Sequence, residues 1–192
     1  RTVFLPPWEA GIRKKGALSV MATYPAIAGI PVHSSSRILD NILRGELDFD
    51  GIVLSEGRGI STLIDERMVD TQKEAGQIAL KSGVDVGISL EDAWLGPLAE
   101  SVEEGEVAMK DIDRAVGRIL KVKFRLGLFD DPYVDVDRAV EIVHSKEHQD
   151  LALQTAREGI VLLKNENSIL PLKKDLNSIA VIGPNAVAGK DQ

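Results

Sequence analysis

Hydrophobic residues fall along this chain in short unbroken runs, separated by stretches in which they recur every three or four positions. The run Ile52, Val53, Leu54 is the sharpest, ending at Ser55 in a carboxylate, Glu56, with Gly57 and Gly59 just beyond. An aliphatic run without polar alternation suits a strand buried on both faces, as in a parallel sheet. Two glycines allow the chain to turn sharply where the run ends. Ligands meet parallel sheets at the carboxyl ends of their strands, so Glu56 is predicted to face a pocket.

The same reading places the other elements. Residues 1–16 hold Pro6 and Pro7, a short helix and a stop at Gly16. Residues 18–24 form a second buried strand, and 25–31 a loop at its carboxyl end. Ser34, Ser35 and Ser36 precede a helix over 37–43, whose apolar stripe is Ile38, Leu39, Ile42 and Leu43. After residues 52–55, Thr71 and Glu74 have the spacing of a capping box that opens a helix to about Ser82, with Gly83 as its stop. Residues 84–89 read as a third strand. Helices are predicted over 95–104 and, with Asp111 as cap, over 112–126.

The strands begin near residues 19, 52 and 84, a beat of about 33 residues with a helix in each interval. That is the spacing of βα units. Three units do not close a barrel of eight, so the alternatives are a small open sheet or the C-terminal part of a (β/α)8 barrel. The start at Arg1 favours the barrel piece as an expectation. Beyond Asp130, Asp131 and Pro132 a linker-like break is followed by a capped helix from about Ser145 to 163 and a short apolar strand over 179–184.

Composition narrows the partners. The chain has 192 residues, 30 acidic against 23 basic, for a formal net charge of −7. No basic footprint for nucleic acid is present, and acidic membranes are equally poor partners. There is no cysteine, which removes disulfides and thiolate metal sites but leaves the compartment open, periplasmic, secreted or cytoplasmic. No apolar run nears the roughly 20 residues of a membrane helix. Oligomeric state is not encoded in these patterns.

Several segments taken together resemble glycoside hydrolase family 3, the β-glucosidase and β-xylosidase group. They are S-V-M-A-T-Y over 19–24, G-I-P-V over 29–32, L-R-G-E over 43–46, F-D-G over 49–51 with V-L-S over 53–55, A-V-G-R-I-L-K-V-K-F-R-L-G-L over 115–128, E-G-I-V-L-L-K-N over 158–165 and L-P-L over 170–172. The resemblance implies the C-terminal part of a (β/α)8 barrel over 1–129, a linker over 130–144 and the start of an α/β sandwich domain over 145–192. It implies a retaining β-glycosidase acting on terminal β-linked glucose or xylose, with a carbohydrate substrate and no metal or organic cofactor. The family's nucleophile is an aspartate directly after the V-L-S type strand, followed by Trp or Tyr; here that position is Glu56, followed by Gly57. Tyr24 matches a tyrosine that donates a hydrogen bond to the nucleophile. The general acid is expected outside this chain, so the isolated piece is expected to be inactive. A family member that binds sugars without cleaving them is the alternative.

Further candidates are substrate contacts near the strand ends: Met21, Ser55, His33 in the loop after residues 29–32, and Glu91 after the third strand. Against each stands a bland reading, since a lone loop histidine is more often only solvated. Asp85 begins its strand, the end where barrel residues serve stability. His144, Glu147 and His148 match H-x-x-E-H, a zinc protease motif. Ser145 reads as an N-cap that would leave His144 outside the helix, against that rival. Gly57 and Gly59 fall short of a nucleotide-binding loop, position 62 being Thr.

Overall fold

The computed structural model describes residues 2–88, 92–184 and 186. Contacts divide the chain into two units, Arg1–Tyr133 and Val134–Gln192. The first begins with helix α1 (Leu5–Glu9), which continues as a wider π-type helix over Ala10–Lys14, and Gly16 follows at φ +68°. Strand β1 (Ser19–Ala22) pairs in parallel with β4 (Ile52–Ser55), in the register Ser19 to Ile52 through Ala22 to Ser55.

Between them the predicted loop is partly a small hairpin, β2 (Ala26–Ile27) against β3 (Ile30–Pro31). Its turn is Ala28–Gly29, both at positive φ, the geometry that matches the twist of hairpin strands. The helix expected over 37–43 runs as a π-type helix over Arg37–Glu46, and it buries Leu39 and Leu43.

Helix α2 (Thr62–Asp65) follows β4, and α3 (Gln72–Ser82) opens with the reciprocal capping box of Thr71 and Glu74 and stops at Gly83 in the left-handed region. Over its described residues, 84–88, the third strand is reduced to a single parallel bridge, Leu54 to Val86, although hydrogen bonds from Asp85 and Val86 N–H to the Val53 carbonyl, and from Ser55 N–H to the Val86 carbonyl, bring that segment alongside β4. β4 is therefore flanked on both sides. Helix α4 (Gly96–Glu103) and the long α5 (Met109–Arg125) complete the unit. Asp111 does not cap α5: the N-cap position is Ala108, which makes no side-chain cap hydrogen bond, and Asp111 sits in the first turn, accepting from Arg114 Nη1 at 2.6 Å.

The core follows the sheet. Val53, Ile60, Leu63, Ala75, Ala79 and Val84 are fully buried with Leu39, Leu43 and Phe49, and a smaller cluster of Leu80, Leu98, Val107 and Ala115 lies under α4 and α5. Burial of each large aliphatic side chain is worth about 1.5–3 kcal/mol; along β4, Val53 and Ser55 are buried on one face, and Ile52 and Leu54 on the other are half-buried, short of the burial on both faces that the aliphatic run predicts.

The second unit holds α6 (Val136–Ile142), inside the stretch read as linker, and α7 (Lys146–Gly159), capped by Ser145. Asn165 and Leu170 then clamp a loop through two hydrogen bonds of 2.9 and 3.0 Å. The strand expected over 179–184 does not form: these residues are exposed and carry no ladder. A strand needs a neighbour, and no pairing partner occurs among the described residues of this unit.

Candidate active site at the carboxyl ends of β1 and β4

Because β1 and β4 run in the same direction and in step, Thr23 and Glu56 leave the sheet side by side. The Tyr24 backbone N–H donates to Glu56 Oε2 at 3.1 Å, and the Thr23 hydroxyl donates to the same oxygen at 3.4 Å. The Tyr24 hydroxyl does not reach the carboxylate; it donates to the Gly57 carbonyl. Tyr24 thus orients Glu56 through its main chain, while its ring, 40% exposed, spans the turn beyond. Glu56 itself is half-buried.

That turn is closed by hydrogen bonds from Gly59 N–H to the Glu56 carbonyl at 2.7 Å and from the Thr62 hydroxyl to the Gly59 carbonyl at 2.6 Å. Arg58 adopts φ +58° within it, a strained choice for a side chain with a β-carbon. His33 lies beneath. It is completely buried, neither ring nitrogen has a partner among the described residues, and burial pushes its pKa down to about 4 against the opposing pull of Glu56. A histidine with no exposed surface is not the solvated loop residue its sequence context suggests. In this conformation it supports the turn and offers no surface to a sugar.

Ser55 is also buried, its Oγ accepting from Ile88 N–H at 3.0 Å, so its hydroxyl holds the third strand segment to β4. Met21 is exposed and lines an apolar groove with Ile27, Val32 and Leu43. Glu91 lies outside the described residues.

Taken together, one carboxylate stands at the mouth of a parallel sheet, held by two donors from the adjacent strand end. An ionised carboxylate accepts and never donates, so both donors hold Oε2 in place. This is an arrangement suited to attack on an electrophilic carbon.

Models of known families match the chain in two places, the glycosyl hydrolase family 3 N terminal domain over residues 1–122 and the family 3 C-terminal domain over 160–192. The chain belongs to glycosyl hydrolase family 3. This family 3 chain is 36% identical over 194 residues to a β-xylosidase of Formosa agariphila, covering 97% of itself and 27% of that protein. It is 35% identical over 193 residues to a periplasmic β-glucosidase of Salmonella typhimurium, covering 98% of itself and 25% of that protein. It also resembles the crystal structure of a β-glucosidase from Listeria innocua in complex with glucose, at a TM-score of 0.75 and 34% identity over 88% of this chain and 23% of that one. The chain spans about a quarter of the length of the curated relatives it matches.

Within this family 3 chain, the second acidic group near the sheet serves architecture. Asp85 is 4% exposed; its Oδ2 accepts from Arg44 Nη2 at 2.7 Å and Val53 N–H at 2.9 Å, and its Oδ1 accepts from Arg118 Nη1 at 2.8 Å. Arg44 reaches onward to the Gly51 carbonyl at 3.0 Å. The cluster ties β4, the helix before it and α5 together at the amino end of the sheet, away from Glu56.

The zinc motif does not assemble. His144 sits at φ +59° before the N-cap, and Ser145 Oγ accepts from His148 N–H, so the two imidazoles are not presented by one helix face. Among the described residues, no group of three His, Cys, Asp or Glu is placed to hold a metal.

Sequence reasoning missed Thr23 as a partner of Glu56. The parallel register would have revealed it, since Thr23 and Glu56 each directly follow a strand. It also missed Arg44 and Arg118 as partners of Asp85, which lie 41 and 33 residues from it along the chain.

Proposed function

We propose that this chain carries the nucleophile of a retaining β-glycosidase that removes terminal β-linked glucose or xylose. The observation that carries the reading is the half-buried Glu56 carboxylate at the carboxyl end of β4, gripped on Oε2 by Tyr24 N–H and Thr23 Oγ1. Relatives named β-xylosidase and β-glucosidase support the reaction class, and neighbours solved with glucose and with laminaribiose support a carbohydrate substrate. Residues 1–129 form the later part of a barrel, 130–144 a linker and 145–192 the opening of a sandwich domain.

In the reaction, Glu56 attacks the anomeric carbon as the bond to the leaving oxygen breaks, giving a covalent glycosyl ester. A carboxylic acid from outside this chain protonates the leaving oxygen. The same group then takes a proton from water, which opens the ester, frees Glu56 and releases the sugar with its configuration retained. Retaining enzymes hold their two carboxyl groups about 5–5.5 Å apart, so the additional methylene of Glu56 has to be absorbed by its folding back onto Thr23 and Tyr24. Gly57 leaves the position after the nucleophile without an aromatic face, which widens the site beside the cleaved bond.

The test uses the full-length protein. Aryl β-glucosides and β-xylosides are assayed with wild type and Glu56→Gln, and a 2-deoxy-2-fluoro glycoside is used to trap the intermediate for peptide mapping. Hydrolysis by wild type, loss of it in the variant and an adduct on the Glu56 peptide are expected. Full activity in Glu56→Gln, or an adduct on another residue, would sink the assignment. Sugar binding by wild type without hydrolysis of any β-glycoside would establish a binding protein instead.

A further inference from the structure

We propose that Thr23 is a positioning residue that selects which oxygen of Glu56 attacks. The inference rests on Glu56 as nucleophile. Both side-chain contacts of Glu56 fall on one atom: Oε2 receives the Tyr24 N–H at 3.1 Å and the Thr23 hydroxyl at 3.4 Å, while Oε1 receives no donor among the described residues. Two donors on Oε2 withdraw its electron density and fix the plane of the carboxyl, leaving Oε1 as the oxygen that bonds to carbon.

The donors come from consecutive residues, so they move as one. Thr23 and Tyr24 continue directly from β1, whose last residue, Ala22, is paired with Ser55 just before Glu56. The hydroxyl of a β-branched residue is also held in few rotamers, which suits a fixed donor. The Tyr24 phenol is engaged elsewhere, on the Gly57 carbonyl. A phenolic donor at the nucleophile is therefore replaced here by a backbone amide and an aliphatic hydroxyl.

Three variants of the full-length protein test this on an aryl β-glycoside it cleaves: Thr23→Val, which removes the donor and keeps the shape, Thr23→Ser, which keeps the donor, and Tyr24→Phe. Thr23→Val is expected to lower kcat roughly tenfold with little change in KM, because the plane of the carboxyl is no longer fixed. Thr23→Ser should restore kcat. Tyr24→Phe should lower kcat less than Thr23→Val does, since both donors to Oε2 remain.

The rate of inactivation by a 2-deoxy-2-fluoro glycosyl fluoride reads the same attack by Glu56 in any variant that turns over too slowly. Should Thr23→Val fail to fold, Thr23→Ala is carried through the same measurements. A Thr23→Val enzyme with wild-type kcat overturns the proposal, as does Tyr24→Phe lowering kcat as far as Thr23→Val. An inactive Glu56→Gln alongside an indifferent Thr23→Val would end this inference alone, whereas an active Glu56→Gln would end the functional reading beneath it.

Discussion

His33 and Gly59 approach so closely that a β-carbon on Gly59 would come within 2.5 Å of the imidazole Nε2 and 3.0 Å of the Glu56 carbonyl. No side chain fits there without moving the turn that carries Glu56. Gly59→Ala is expected to destabilise the protein by about 1–3 kcal/mol through overpacking and to lower kcat more than KM rises. Pairing it with His33→Ala, which opens the space, should recover part of both losses; a double variant no better than Gly59→Ala would show that the contact is not the cause.

The same imidazole sets a pH dependence of stability. Its folded pKa is lowered from 6.5 to about 4, first by burial. Between those values the unfolded chain binds a proton that the folded chain refuses, so stability is full above about pH 6.5 and declines as the pH falls to about 4. The linkage is worth about 3 kcal/mol at most. Chemical denaturation of wild type and His33→Leu across this range checks it. The variant should lose that part of the slope, and two parallel curves would refute the assignment.

Removing the Asp85 carboxylate should cost far more than removing a surface acid. Its partners Arg44 and Arg118 are largely buried, with side chains 12% and 20% exposed. Asp85→Ala leaves two guanidinium groups facing one another without a counter-charge, a loss of about 3–5 kcal/mol. Thermal unfolding should register this as a large drop in Tm, and KM of the remaining folded enzyme should be unchanged. A small Tm shift would mean that water reaches the pair.

Large apolar side chains stand exposed along the chain, among them Phe4, Phe124, Leu163 and Ile182, the last two more than nine-tenths exposed. Produced alone, the 192 residues are expected to bind a hydrophobic dye, scatter light as concentration rises and show no turnover. A sharp melt without dye binding, together with hydrolysis of an aryl glycoside, would contradict this.

What the sequence made legible were features with local causes. The aliphatic run 52–55 ends where its hydrophobicity ends, and the capping box of α3 is complete within Thr71 and Glu74. Features with distant causes were not legible. The burial of His33 depends on Gly59, and the two arginines on Asp85 depend on packing between elements tens of residues apart. Residues 179–184 have the composition of a strand but not the neighbour that would make one. For Glu56, pattern gave the position at a strand end, while the supporting hydroxyl and amide needed the register of β1 and β4.

That register also fixes where the chain tolerates changes in length. One residue inserted between 47 and 56 would advance the strand by about 3.3 Å and exchange its two faces, carrying the carboxylate from the mouth of the sheet into its packing. The same insertion beside Gly105, or in the stretch 128–135, meets exposed connections and leaves the sheet in step. A library of single-residue insertions scored for glycoside cleavage by the full-length protein should therefore be silent across 47–56 and populated at those two connections.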